Sequence, residues 1–176
     1  GAYGIINRIL TLFIMIVMGI TMGMQPIAGY NYGAEEFGRT FKVLKYALLW
    51  GVMVMTSGFL LADLFPHFIA GMFTTKRELI TISARGLRIA LAMFPLAGAQ
   101  IVISNFFQSI GKVKISIFLS LSRQLIFLLP LLFVFPEFLG VDGVFLSLSV
   151  ADFIAFVVAG FTIVYQLRRT KKKLLG

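Results

Sequence analysis

The chain is 176 residues long, has no cysteine and carries a formal net charge of +9, yet 59% of it is hydrophobic and only 13% is charged. Globular proteins carry about 25% charged residues, and a soluble domain of this size exposes too much of its surface to hide so much apolar material. Those values exclude a water-soluble domain. The missing cysteines exclude a disulfide framework and a thiolate metal site. The placing of the basic residues at the ends of apolar segments favours anionic lipid over nucleic acid as their partner.

The chain opens on Gly1, not Met, already approaching an apolar segment, with no signal peptide in view; this reads as an excised or incomplete chain. The first span is expected at residues 9–28, about 20 residues, enough at 1.5 Å per residue to cross a hydrocarbon core of about 30 Å. Asn7, Thr11, Met18 and Gln25 share one of its faces, which suits either helix packing or a cavity lining of flexible thioethers. Gly19, Gly23 and Gly29 are read as sites of close helix approach, and Pro26 as loosening the helix end. The segment 29–34 should leave the membrane in a tight turn, with Glu35 and Glu36 at the start of the next helix, where its dipole favours acids.

The second span is expected at 46–62, closed by Asp63 and the Phe65-Pro66-His67 group. His67, the only histidine, reads as structural at the membrane edge. Phe68, Ile69, Met72 and Phe73 suggest a short interfacial helix, and Thr75 with Glu78 has capping-box spacing. The third span, 87–110, should kink at Pro95, with Arg85 and Arg88 snorkelling at its mouth. The fourth, 115–135, holds Arg123 about 12 Å below the surface and Pro130, a second expected kink. Residues 136–143 read as a loop without basic residues. The fifth span, 144–164, holds Asp152 and ends in the tail Arg168-Arg169-Thr170-Lys171-Lys172-Lys173. Lys and Arg then number ten on the side of the first and third turns and the tail, against four on the other. The positive-inside rule puts that side in the cytoplasm. An odd number of spans argues that at least one helix is missing.

Ile101–Arg123 joins two apolar segments through the basic turn Gly111-Lys112-Val113-Lys114. Gln100, Ser104 and Gln108 fall at i, i+4 and i+8, so they share one helix stripe. Ser116, Ser120 and Arg123, beside Gln124, form a second. Unsatisfied amides cost several kcal/mol each in hydrocarbon, so the Gln100–Gln108 stripe, Asn105 included, should face protein or a cavity. An arginine as deep as Arg123 costs at least about 2.5 kcal/mol unless it faces protein or water. Free carbonyls near Ser109–Gly111 are its expected acceptors. Asp152, placed near mid-membrane, is the less favoured partner, and both ions are read first as structural charges. No enzyme motif is present: no Walker loop, HExxH, GxSxG or nucleotide fingerprint.

Gly19-Ile20-Thr21-Met22-Gly23-Met24-Gln25-Pro26-Ile27-Ala28-Gly29-Tyr30-Asn31-Tyr32-Gly33-Ala34, with Arg39 following, resembles the signature around the eighth helix of multidrug and toxic compound extrusion (MATE) transporters. The resemblance continues in order through Leu87-Arg88-Ile89, Phe106-Phe107-Gln108-Ser109-Ile110-Gly111-Lys112, Ser122-Arg123-Gln124, Gly140-Val141-Asp142-Gly143-Val144 and Ala151-Asp152. It covers essentially the whole chain.

The resemblance implies a twelve-helix antiporter of two lobes, with this chain, residues 1–176, similar to helices eight to twelve. The expected fold is an all-α integral membrane bundle of about five spans. The expected role is part of a Na⁺- or H⁺-coupled exporter of amphipathic, often cationic compounds in the inner membrane. Alternatives are a lipid-linked oligosaccharide flippase of the same superfamily or a non-transporting remnant. Gln25, Gln100, Ser104, Asn105 and Gln108 are the expected cavity residues. The expected partners are the bilayer, the absent first lobe and small amphipathic substrates, without nucleic acid, catalytic residue, metal or cofactor. Some MATE branches hold the cation on a helix-ten acid. The matching span, 87–110, has no Asp or Glu, which favours a coupling carboxylate in the first lobe.

Overall fold

A computed structural model describes residues 1–175, so of the expected unit 1–176 only Gly176 lies outside the described residues. Among the described residues all regular structure is helical: α1 (Ala2–Gly33), α2 (Phe37–Leu64), the short α3 (Pro66–Gly71), α4 (Arg77–Ala90), α5 (Phe94–Ser109), α6 (Val113–Leu121), a π-helical stretch (Ser122–Leu128), α7 (Leu129–Leu139) and α8 (Val141–Leu175). Three helices (α1, α2 and α8) and the continuous run Val113–Leu139 are each long and apolar enough to cross a membrane. Helices α4 and α5 reach that length only as a pair, bent by 56°. The protein is an all-α, multi-pass membrane bundle.

Helix α5 is the centre. Its Phe94, Ala97, Gly98, Val102, Ile103, Phe106 and Phe107 are buried against α1, α2, α6 and α8. In lipid a helix gains nothing from hiding oil as such, and association rests on close packing. Small residues supply it. A Cβ at Gly51 of α2 would stand 2.9 Å from Val102, and one at Gly98 would meet Met55 at 2.6 Å. On α8, Ala151, Ala155 and Ala159 are all buried at helical spacing.

Several local readings change. Helix α1 does not loosen at Pro26 but runs through it to Gly33, so the turn shrinks to Ala34–Glu36, with Glu35 in the left-handed region at φ 59°. Of the glycines on α1, only Gly29 is at a close approach; Gly19 and Gly23 face open space among the described residues. The cap of α4 is Lys76, not Thr75, and it has no side-chain bond to the helix. Instead, Thr74 Oγ1 accepts the Lys76 N–H at 3.3 Å, a local turn that competes with the capping box. The third span breaks at Leu91–Met93, before Pro95, which falls in the first turn of α5. There its missing N–H costs no intrahelical bond. Residues 136–143 are not a loop: α7 runs to Leu139, α8 begins at Val141, and Gly140 alone turns the chain, at φ 64°.

Gly29 generates a direct check. A Cβ there would lie 2.8 Å from the Ser109 carbonyl oxygen, a backbone atom that cannot swing away. Gly29→Ala is expected to destabilise the bundle by about 1–3 kcal/mol, whereas Gly19→Ala leaves the melting temperature in detergent unchanged. Equal melting of the two variants would remove the α1–α5 contact as a packing constraint.

Candidate functional site

Gln100, Ser104 and Asn105 of α5 turn towards α1 on one flank and α6 on the other. On the α6 flank, Gln100 Nε2 donates to the Leu119 carbonyl at 3.3 Å. Ser104 Oγ donates to the Ser116 carbonyl at 3.2 Å and lies 2.8 Å from Ser120 Oγ. The two serine stripes therefore meet face to face. On the α1 flank, Asn105 Nδ2 donates to the Ile101 carbonyl at 2.9 Å, and its Oδ1 accepts from Gln25 Nε2 at 3.3 Å.

Between these flanks lies a hollow of about 320 Å³ lined by Met18, Gln100, Ile101, Ser104, Asn105, Ser120, Arg123 and Gln124. Of the expected cavity residues, Gln100, Ser104 and Asn105 line it, and Gln25 reaches its edge through Asn105. Gln108 does not join them: two turns past Gln100, it is exposed. The stripe is therefore satisfied by protein only over its first half. On α1, Asn7, Thr11 and Met18 are exposed, while Ile5, Ile9, Val17, Thr21, Met24 and Ala28 make the packing face. Of the Asn7 face, Gln25 bonds to Asn105 of α5 and Met18 lines the hollow. Ser120, Gln124 and Met18 belong to the hollow as well; the second polar stripe was the signal for the first two.

Arg123 closes the hollow, in the π-helical stretch. Pro130 can supply no N–H to the carbonyl four residues earlier, and its ring crowds that position. Widening the ladder to i→i+5 accommodates both effects, so the expected kink becomes a π segment. Arg123 then reaches α8, where its Nε donates to Asp152 Oδ1 at 2.7 Å and its Nη2 stands 2.5 Å from the same oxygen. The partner is Asp152, not the carbonyls of Ser109–Gly111. The side chain of Asp152 is only 4% exposed, that of Arg123 25%. The acid is thus locked behind the arginine, which alone faces the hollow. Among the described residues no cluster of His, Cys, Asp and Glu is built to hold a metal ion.

Residues 1–134 match the MatE family model. The multidrug export protein MepA of Staphylococcus aureus (strain N315) is 26% identical over 168 residues, covering 96% of this chain and 37% of the relative. MepA of Staphylococcus saprophyticus is 23% identical over the same length. The chain thus spans a little over a third of the length of the curated relatives it matches. Among solved structures, the MATE multidrug transporter DinF-BH, solved as a complex, superposes with a TM-score of 0.84 at 36% identity, over 96% of this chain and 37% of that one. The Vibrio cholerae MATE transporter VcmN in its bent form gives a TM-score of 0.88 at 22% identity, over 96% and 39%, a likeness of fold.

The ion pair has a clear signature under mutation. Removing one partner leaves a buried, uncompensated charge, worth about 3–5 kcal/mol, while replacing both with apolar groups is often close to neutral. Arg123→Leu and Asp152→Leu should each reduce the monodisperse peak in size-exclusion chromatography, and the double variant should recover most of it. A double variant no better than the worse single one would show that the two charges act separately.

Proposed function

The chain belongs to the MatE family, and we propose that it forms most of one lobe of a cation-coupled multidrug antiporter. The observation that carries this reading is the polar hollow between α1, α5 and the π-interrupted span, set within an otherwise apolar bundle. Amides and hydroxyls from Gln100, Ser104 and Asn105 offer donors and acceptors without fixed charge. Beside them Met15, Met18 and Met22 project from α1 at 65%, 40% and 68% exposure, a flexible thioether surface that adapts to differently shaped apolar groups. An amphipathic cation needs both. The names of the multidrug export protein MepA and the multidrug transporter DinF-BH support a multidrug cargo.

Transport would proceed by alternating access, two lobes rocking about a cavity that this chain lines from one side. Na⁺ or H⁺ entry supplies the driving force. Asp152 is engaged by Arg123, so its charge is answered before any cation arrives. With no acid on residues 87–110, the coupling carboxylate belongs to the rest of the transporter. The same pair argues against a pyrophosphate-linked cargo, because the one arginine at the hollow already has its anion. The protein would lie in the inner membrane with its C-terminus in the cytoplasm. In support, the α1–α2 turn, the α5–α6 turn and the last turns of α8 line one common hollow, so the basic residues on these segments sit at one end of the bundle.

Growth of a drug-sensitive strain on ethidium or norfloxacin tests the proposal. The full-length transporter should protect and residues 1–176 alone should not. Asn105→Ala and Gln100→Ala in the full-length protein should shift the ratio of tolerance to the two drugs at normal membrane levels, whereas Arg123→Ala should mainly lower the folded yield. A full-length protein that reaches the membrane and protects against neither drug would overturn the assignment.

A further inference from the structure

A second hollow, of about 510 Å³, lies at the opposite end of the bundle from α3, between the α1–α2 turn, the α5–α6 turn and the last turns of α8. It is lined by Tyr32, Gly33, Glu35, Phe37, Lys112, Gln166, Arg169, Thr170 and Lys173. Three cations converge here from two elements that are 57 residues or more apart in sequence, against the single carboxylate of Glu35. Among the described residues none of the three cations is in a salt bridge. Gln166 and Thr170, 5% and 6% exposed, line the same space as the three cations.

Directly beside it runs an apolar hollow of about 320 Å³ formed by Phe37, Gly38, Phe41, Leu167, Arg168, Thr170 and Lys171. The two hollows share Phe37 and Thr170. A ligand filling both would carry an anionic, oxygen-rich head on the cationic side and a hydrocarbon portion along Phe41 and Leu167. The position is the end of the spans, where the membrane surface begins.

We infer that these adjoining hollows hold one anionic phospholipid, its phosphate between Lys112, Arg169 and Lys173 with Gln166 and Thr170 donating to its oxygens, and an acyl chain against Phe41 and Leu167. Phosphate is the ligand chemistry that suits such donors, and basic pockets at helix ends bind lipid headgroups in the same manner. Burial pushes the Lys112 ammonium below the usual lysine range, and the neighbouring charges of Arg169 and Lys173 push it further. An anion among them would remove that strain. Free phosphate shares the headgroup chemistry but leaves the apolar hollow empty.

The test uses the purified protein carrying this chain, with bound lipid counted by native mass spectrometry and melting followed in detergent. Phosphatidylglycerol should remain bound and raise the melting temperature; phosphatidylcholine and inorganic phosphate should do neither. In Lys112→Gln/Arg169→Gln, retained phosphatidylglycerol should fall by roughly fivefold per cation removed. Lys114→Gln/Lys172→Gln, which removes the same charge outside the hollow, should retain it as the unaltered protein does. Gln166→Leu leaves the charge untouched and should also weaken retention, which keeps the test decisive if the double variant folds poorly. Equal losses from the two charge pairs would overturn the site in favour of diffuse surface charge. Protection by inorganic phosphate equal to that by phosphatidylglycerol would overturn the lipid.

Discussion

Hydrocarbon offers no hydrogen bonds, so every polar group that enters it must find its partner inside the protein. That constraint explains why α5 is the hub of the bundle. Its amide and hydroxyl side chains find partners on both flanks: Gln100 and Ser104 donate to the Leu119 and Ser116 carbonyls of the span that follows, and Asn105 accepts from Gln25 of α1. Docking α6 on this stripe sets the position of the π-helical stretch, and with it Arg123 over Asp152. Elsewhere, serine hydroxyls of α8 do the same work. Ser147 donates to the Leu131 carbonyl as well as to that of Gly143, and Ser149 donates to the Ile89 carbonyl beside the break between α4 and α5.

The four helix-disturbing prolines show that the residue type does not decide the outcome by itself. Pro26 is carried within α1, Pro95 starts α5, Pro130 goes with a π ladder and Pro136 is carried within α7. What differs is where the lost bond can be made good. At Pro95 the chain ends one helix and begins another, with a 56° bend. Before Pro130 the ladder is wider, the Leu129 N–H donating to the Gln124 carbonyl five residues earlier. Outside the span region, two ion pairs hold the far end together: Arg85 with Asp142 at 2.6 Å, and Arg88 with Asp63 at 3.9 Å. Both are open to solvent, so each contributes little to stability, but they tie α4 to the start of α8 and the end of α2.

The class of protein was legible from apolar composition, and the facing stripes of Gln100, Ser104, Ser116 and Ser120 from a period of four residues. The helix ends were not. The Tyr30-Asn31-Tyr32-Gly33 run has turn-like composition, yet tertiary contact keeps it helical. Ideal straight helices with the expected boundaries leave Asp152 out of reach of Arg123. A π segment, a long guanidinium stem and a helix that starts at Val141 instead of Val144 together bring Asp152 within reach. Gln108 is left exposed by the described residues: a shared stripe says which way side chains point, not where the neighbouring helix ends.

Gly140 alone separates α7 from α8, which bears on how the chain enters the bilayer during synthesis. Two helices joined by a single residue cannot insert far apart in time; they must approach the membrane as a hairpin. Arg123 and Asp152 lie 17 and 12 residues from that hinge, roughly 25 and 18 Å along their helices. Either ion crossing alone would oppose insertion by about 2.5–3.5 kcal/mol. In a hairpin the two charges meet before they leave water, and the pair crosses as a near-neutral unit. The one-residue turn thus makes the last two spans a single step in biogenesis, and each supplies the counter-ion that the other needs to be accepted by the membrane.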